Sequence, residues 1–281
     1  DESGDGDGED AEPQTDRAAE LQKEWDTELG QIWEIPSKSV PGKCHRVMCG
    51  DSTDADNIGT LLGANIVNMV FTDPPYNCAD VMDVGFYSGT DSTAMKSLAD
   101  ADWDKGFDMN GFLSALSRFR PQNGTVYICT SHMLAPQIWA WADKEKAKHN
   151  GYCVWCKPNP MPSLAKRYWT WATELICFAA FGKHTFNFPD TGHCLNWWDV
   201  NKNSANDLHP TQKPIEIPAR AIRHSSNAQD LILDPFLGSG TTLIAAEREG
   251  RICAGMELSP AYMGVILQRC KDAGLQPRRL Q

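Results

Sequence analysis

The sequence predicts an α/β fold in which a mostly parallel sheet is covered by helices on both faces. Seven apolar runs have the length of buried strands, at residues 45–49, 66–71, 125–129, 152–155, 175–178, 231–233 and 252–256. Helical patterns lie between several of them, at residues 110–118, 134–148, 215–224, 241–248 and 261–273. Strands that alternate with helices in this way are typical of a doubly wound sheet, because a helix must return the chain between parallel strands.

Length and composition bound the class of protein. The chain has 281 residues, which is enough for one or two domains with a full hydrophobic core. It shows neither an apolar run near eighteen residues nor a basic start followed by an apolar stretch, so we expect no membrane span and no secretory signal. The ten cysteines have no regular spacing and are expected to be reduced thiols, which predicts a cytoplasmic protein.

The negative charge is concentrated at the start of the chain. Residues 1–30 account for ten of the eleven net negative charges. We expect residues 1–17 to form a disordered acidic leader, because this stretch has few apolar residues to bury. Residues 18–43 are predicted to be a helix and linker, with Leu21, Trp25, Leu29 and Ile32 at helical spacing. Residues 44–281 are then the functional domain.

The first candidate site follows the run at 66–71, where the chain reads Asp-Pro-Pro-Tyr-Asn from Asp73 to Asn77. The two prolines end the strand abruptly. Ligands of open parallel sheets bind beyond the carboxyl ends of the strands, so Asp73 and Tyr76 are predicted to face a ligand there. The structural alternative is a proline-rich turn in which Asp73 caps and Tyr76 packs.

The second candidate site is the segment Asp-Pro-Phe-Leu-Gly-Ser-Gly-Thr-Thr at residues 234–242, which joins a strand to a helix. Such a turn brings backbone N–H groups close to a nucleotide-like ligand. The segment lacks the lysine of a phosphate-binding loop, and Leu243 replaces the third glycine of a dinucleotide motif. Glu257 follows the next strand and can accept hydrogen bonds from ribose hydroxyls. An adenosine ligand with little need for phosphate contacts, such as S-adenosylmethionine, fits this pattern.

Together with His-Pro-Thr-Gln-Lys-Pro at residues 209–214, these motifs resemble those of the beta-class amino-group DNA methyltransferases. The resemblance covers about residues 40–275. It implies a Rossmann-like, circularly permuted methyltransferase fold with a catalytic half at about 44–158, a DNA-recognition segment at about 159–207 and a cofactor half at about 208–275. The acidic leader and the segment from Gly50 to the first motif also resemble the methyltransferase part of proteins in which it follows a ParB-like domain.

The resemblance assigns the catalytic role to residues 73–76. The exocyclic amine of adenine is a poor nucleophile, and hydrogen bonds from its two N–H groups to the Asp73 side chain and the Pro74 carbonyl activate it. Pro75 fixes the turn, and Tyr76 stacks on a base that has left the duplex. Aspartate before Pro-Pro-Tyr favours adenine N6 over cytosine N4, which more often goes with serine. A separate general base is not required, since the amine becomes acidic once it is methylated.

The resemblance also implies a cofactor pocket for S-adenosylmethionine. Glu257 should bind the ribose, Asp51 should lie near the adenine ring, and Lys213 should meet the methionine carboxylate. Without the resemblance, Lys213 is better explained as a surface lysine beside prolines. The methionine part is expected to contact the remaining predicted cofactor residues, which are Asp73, Asp234, Phe236, Gly238, Ser239, Gly240, Thr241 and Thr242.

Double-stranded DNA is the predicted partner. Residues 151–225 contain eight basic and five acidic residues with interleaved tryptophans, a composition that suits phosphate contacts and base stacking. Tryptophans that fill the core are the alternative. Irregular stretches at 78–105 and 159–207 are expected to cover the flipped base and to read the sequence, respectively. The candidate DNA-binding residues are Asn77, Lys157, Lys166, Arg167 and Trp169.

Three further expectations concern metals, partners and rival functions. Cys153 and Cys156 lack a second pair at ligand spacing, so no metal is expected. A homodimer would provide additional contacts with the DNA duplex. A restriction endonuclease is a second candidate partner. The alternatives to adenine-N6 methylation are cytosine-N4 methylation, methylation of a protein side-chain amide, and a non-catalytic DNA-binding protein. Protein amide methyltransferases usually carry asparagine in place of Asp73.

Overall fold

A computed structural model describes residues 15–77, 106–160, 169–190, 193–201 and 213–280. Its strands are β1 Ile32–Pro36, β2 Cys44–Cys49, β3 Met69–Thr72, β4 Gly124–Thr130, β5 His149–Cys156, β6 Thr173–Phe181, β7 Trp197–Asp199, β8 Leu231–Asp234, β9 Ile252–Glu257 and β10 Arg278–Arg279. Its helices are α1 Thr15–Trp25, α2 Ala55–Leu62, α3 Met109–Ser117, α4 Ala135–Lys144, α5 Glu216–Ser225, α6 Thr241–Arg248 and α7 Pro260–Asp272. All seven predicted strands and all five predicted helices of the main domain are found at these places.

The strands form one sheet in the order β10-β1-β2-β9-β8-β3-β4-β6-β5-β7. Its central five strands, β2, β9, β8, β3 and β4, are parallel. β3 and β4 are buried along their full length. Because β3 lies between β8 and β4, the two predicted motifs end at the same edge on neighbouring strands. This arrangement places the two candidate sites side by side.

Helices cover both faces of the sheet, as predicted. On one face, side chains of α5, α6 and α7 pack on alternate strand residues such as Met69 and Phe71. On the other face, α2, α3 and α4 pack on the intervening residues such as Val70 and Val126. The alternation follows from the two-residue period of a strand. The sheet is therefore the middle layer of a doubly wound α/β fold.

The prediction of a helix that continues from residue 18 to residue 33 is wrong beyond Trp25. Helix α1 begins at Thr15, inside the expected leader, and ends at Trp25, because Asp26 and Gly30 adopt left-handed backbone conformations. Ile32–Pro36 is strand β1, which pairs antiparallel with β2. Its residues alternate between the two faces, and this two-residue period was masked by the helical spacing of the neighbouring apolar residues.

Two further corrections concern the far edge of the sheet. β6 is antiparallel to both of its neighbours, although its apolar run resembles a buried parallel strand. The stretch 159–207 was predicted to be irregular apart from the strand at 175–178, but its described part also contributes the short strand β7 to the sheet. Residues 78–105, the predicted cover of the flipped base, lie outside the described residues.

Among the described helices, none has the length and apolar character needed to cross a bilayer.

Candidate active site

Asp73 lies directly after β3 and has both carboxylate oxygens in hydrogen bonds. The Tyr76 hydroxyl donates to Oδ1 at 2.6 Å, and the Lys213 ammonium donates to Oδ2 at 2.5 Å. Lys213 also donates to the Tyr76 hydroxyl at 3.0 Å. Burial, reinforced by the nearby Asp73 charge, raises the pKa of Tyr76 well above its usual value, so its hydroxyl stays protonated. The motif thus holds the Asp73 side chain in a fixed orientation at the sheet edge.

Glu174 is a site residue that the sequence reasoning missed. It is the second residue of β6, and it forms ion pairs with Lys157 and, at 3.2 Å, with Lys213. Burial alone would raise the pKa of Glu174, but the charges of Lys213 and Lys157 lower it to about 2. The sequence signal for Glu174 is a single carboxylate directly before the apolar run at 175–178. A carboxylate next to a buried strand needs a charged partner, and this could have marked Glu174 as a site residue.

Asp234, the last residue of β8, joins the two motifs. It is buried, and it accepts hydrogen bonds from the Thr72 hydroxyl at 2.8 Å and from the Phe236 N–H at 3.1 Å. Burial raises the pKa of Asp234 to about 6, while hydrogen bonds from Thr242 and Thr72 oppose this shift. Thr72 immediately precedes Asp73, so the hydrogen bond fixes the strand of the predicted catalytic motif relative to the predicted cofactor strand.

The glycine turn after β8 has the predicted form. Gly238 and Gly240 adopt φ of 54° and 86°, a region that favours glycine. Gly240 precedes α6, whose start has no side-chain cap. Arg269 of α7, which the sequence reasoning did not select, donates to the Ser239 carbonyl at 3.0 Å and to the Thr241 hydroxyl at 3.1 Å. Ser239 and Thr241 therefore shape the turn, and the uncapped backbone N–H groups at the start of α6 are available to an anionic ligand.

Glu257 ends β9, the strand beside β8, as predicted for a ribose-binding residue. Its Oε1 accepts a hydrogen bond from the Ser259 N–H at 2.8 Å. Burial, with a contribution from Asp234, raises the pKa of Glu257 to about 7. Asp51 follows β2 on the other side, where the Gly50 N–H donates to the Glu257 carbonyl at 2.9 Å. Asp51 is exposed and accepts hydrogen bonds from Thr53. Both residues thus lie at one edge of the predicted pocket.

An aromatic cluster connects the catalytic loop to the glycine turn. Phe236 packs edge-on against Phe107 and Phe112, with ring centroids 5.4 and 4.9 Å away. The Asn77 side chain hydrogen-bonds both backbone groups of Phe107, at 2.8 and 3.0 Å. Asn77, a predicted DNA contact, is therefore engaged in holding this loop in the described structure. Phe107 lies just after the stretch 78–105, and nothing in its sequence context indicated this role.

The predicted DNA-facing residues differ in their surroundings. Lys157 is 13% exposed and pairs with Glu174, so it does not present a free charge in this structure. Trp169 is 92% exposed, and Trp171 stacks on His132 with ring centroids 5.4 Å apart. Trp155 and Trp198 are in the core, as the structural alternative predicts. Lys166 and Arg167 lie outside the described residues.

Comparison with known proteins identifies the class. The DNA methylase family model matches residues 67–268, and the chain belongs to this family. The chain is 31% identical over 225 residues to the Type II methyltransferase M2.LlaDCHI of Lactococcus lactis subsp. cremoris, covering 72% of this chain and 81% of that protein. It is 30% identical to M2.DpnII of Streptococcus pneumoniae, with 72% and 82% coverage. Family membership confirms the predicted DNA methyltransferase class and its cofactor, S-adenosylmethionine.

Solved structures with the same fold support the predicted architecture. The M1.HpyAVI–SAM complex has a TM-score of 0.62 at 22% identity, covering 79% of this chain and 97% of that one. The cytosine-N4-specific PvuII DNA methyltransferase has a TM-score of 0.58 at 16% identity, with 84% and 93% coverage. These similarities confirm the fold class predicted from the alternating strands and helices.

Proposed function

We propose that this protein transfers a methyl group from S-adenosylmethionine to the N6 amine of an adenine that has left a DNA duplex. The observation that carries the proposal is the position of Asp73, whose side chain is oriented by Tyr76 and Lys213. The preceding residue, Thr72, is hydrogen-bonded to Asp234 on the neighbouring strand, the predicted cofactor strand. An acceptor fixed in this way stabilises the positive charge that develops on an amine during methylation. Aspartate at this position favours adenine over cytosine.

The residues present fit the cofactor. Glu257 offers an acceptor for ribose hydroxyls, and the uncapped start of α6 offers N–H groups to a carboxylate. When bound, S-adenosylmethionine supplies an electrophilic methyl group. Asp73 and the Pro74 carbonyl would accept the two N–H groups of the target amine and aim its lone pair. Tyr76 would stack on the base, and the proton would leave after the transfer.

An analysis of the labelled product tests which DNA base is methylated. The protein would be incubated with tritiated S-adenosylmethionine and mixed-sequence duplex DNA, and the DNA would be digested to nucleosides and resolved by mass. We expect the label in N6-methyldeoxyadenosine. Label in N4-methyldeoxycytidine would contradict the choice of base, and label in protein or in no substrate would contradict the proposed function.

A pH dependence of cofactor binding follows from Glu257. Its pKa of about 7 means that this carboxyl is largely protonated at pH 6 and ionised at pH 8. The ionised form accepts the ribose hydroxyls better, so we expect cofactor affinity to rise about tenfold from pH 6 to pH 8. Stability without cofactor should change in the opposite direction, because the folded state binds more protons than the unfolded state between pH 4.5 and 7.

Calorimetric titration with the demethylated cofactor at both pH values would measure this dependence. The Glu257→Gln variant is the control, since its side chain does not titrate in this range. Equal affinity of the wild-type protein at pH 6 and pH 8 would contradict the assignment of Glu257 to the ribose.

Cellular context and assembly are further parts of the proposal. The position of the first motif before the glycine turn supports a circularly permuted arrangement, and the acidic leader supports kinship with proteins that carry a ParB-like domain. The Type II names of the relatives support a restriction endonuclease partner. Free cysteines in the described residues support action in the cytoplasm. A homodimer would provide additional contacts with the DNA duplex. Analytical sedimentation with and without DNA would detect the dimer.

A further inference from the structure

Four charged side chains alternate in sign across the active site. Lys157 pairs with Glu174, Glu174 with Lys213, and Lys213 with Asp73. The Lys213 side chain is 10% exposed and that of Glu174 is 24% exposed, so water screens these charges poorly. Asp73 is the most accessible of the three at 33%. The most accessible carboxylate in this series of ion pairs is thus Asp73, which must bind the target amine.

Lys213 occupies part of the position that the target amine needs. Its ammonium has three N–H groups, and it donates to Asp73 Oδ2 and to the Tyr76 hydroxyl. For the amine to bind Asp73 as proposed, the hydrogen bond from Lys213 to Oδ2 must weaken or break. A buried ammonium that loses a hydrogen bond is destabilised unless another acceptor replaces it. Lys213, whose side chain is 10% exposed, therefore requires a second hydrogen-bond acceptor nearby.

Glu174 supplies that acceptor. Its Oε2 is buried and is ion-paired with the Lys213 Nζ at 3.2 Å, but no donor of the described residues is aligned with it in a well-formed hydrogen bond. Its other oxygen, Oε1, is held by Lys157. A small displacement of the ammonium would let an N–H group of Lys213 pass from Asp73 Oδ2 to Glu174 Oε2. The unused acceptor thus lies where the displaced ammonium would go.

We propose that Glu174 is a positioning residue that receives the Lys213 ammonium when the target amine takes its place on Asp73. The inference rests on the proposed function, because it assumes that Asp73 binds an amine. With Glu174 ionised, the two lysines and two carboxylates of the group balance, whereas loss of the Glu174 charge would leave an excess positive charge that opposes the positive charge developing on the amine. Without this charge, Lys213 would stay paired with Asp73 alone and compete with the substrate.

The test is the Glu174→Gln variant, which keeps the side-chain shape and removes its charge. We expect the single-turnover rate of methyl transfer to DNA to fall about 10- to 100-fold, with cofactor affinity, measured by calorimetry, within about threefold of wild type. The Glu174→Asp variant keeps the charge and should recover part of the rate. Glu145→Gln is the matched control, since Glu145 also forms a half-buried ion pair, with Arg120, away from the site. It should lower the melting temperature without changing the rate.

Two outcomes would overturn the inference: a Glu174→Gln variant that transfers at the wild-type rate, or one whose cofactor affinity falls as far as its rate. The second would mean that Glu174 serves the cofactor pocket instead of the amine site. The ratio of variant to wild-type rates tests Glu174 whichever DNA base is labelled, whereas the identity of the labelled base tests the proposed function. The two failures are thus distinguishable.

Discussion

Replacing Asp73 with alanine is expected to lower the rate of methyl transfer to DNA by about a thousandfold or more. The change removes the oriented acceptor of the target amine and leaves the buried Lys213 ammonium with one carboxylate partner fewer. Single-turnover assays with tritiated cofactor would measure the loss. Cofactor affinity should stay within a few-fold of wild type, because Glu257 and the glycine turn remain.

Two companion variants make this result interpretable. Asp73→Asn keeps one acceptor oxygen without the charge, and its rate should fall between those of wild type and Asp73→Ala. Asp56→Ala removes an exposed carboxylate on α2 and should leave the rate unchanged. If Asp73→Ala kept more than about a tenth of the wild-type rate, the amine could not be activated by this side chain, and the mechanism would be wrong.

Gly124→Ala is expected to destabilise the fold by about 3 kcal/mol or more, and the melting temperature should fall by roughly 5–10 °C. A Cβ atom at Gly124, the first residue of β4, would lie 1.9 Å from the Asn68 carbonyl oxygen. Asn68 cannot easily move away, because it forms two hydrogen bonds with Leu231, the first residue of β8, at 3.0 and 2.9 Å. The clash would therefore push β4 away from β3, the strand that leads into the first motif.

Gly151→Ala in β5 is the matched control for this prediction. A Cβ atom at Gly151 would meet nothing within 4 Å, so the substitution should be neutral or stabilise slightly. Thermal unfolding followed by circular dichroism would compare the two variants with wild type. Equal melting temperatures for Gly124→Ala and Gly151→Ala would contradict the close approach of β4 to Asn68.

The parts of the fold predicted from sequence are those with a local signal. Apolar runs in the sequence located the buried strands. The two glycines of the second motif located the turn before α6, where both adopt positive φ in the structure. Strand β1 was predicted as helix, because Leu29 and Ile32 happen to continue the spacing of α1. The direction of β6 could not be predicted, since a strand buried on both faces has the same composition whether it is parallel or antiparallel.

The same distinction applies to the active site. Asp73 follows β3, while Asp234 and Glu257 are the last residues of β8 and β9, and sequence reasoning placed all three at one edge of the sheet. Glu174 and Arg269 act through partners that lie far away in the sequence. For Lys213, the resemblance predicted a contact with the cofactor, which remains a prediction, and gave no hint of the pair with Asp73. Ion pairs and hydrogen bonds of this kind depend on which strands and helices become neighbours in the fold, and no local sequence pattern encodes that.

The hydrogen bond between Thr72 and Asp234 spans 162 positions of the chain. Closing so long a loop has a large entropic cost, and folds with many such contacts form slowly. A nascent chain that has emerged only as far as β4 carries the complete Asp-Pro-Pro-Tyr segment, but it lacks the neighbouring strand that orients it. The oriented site therefore requires that both strands have joined the sheet, and a ligand bound at this edge would selectively stabilise chains in which they have done so.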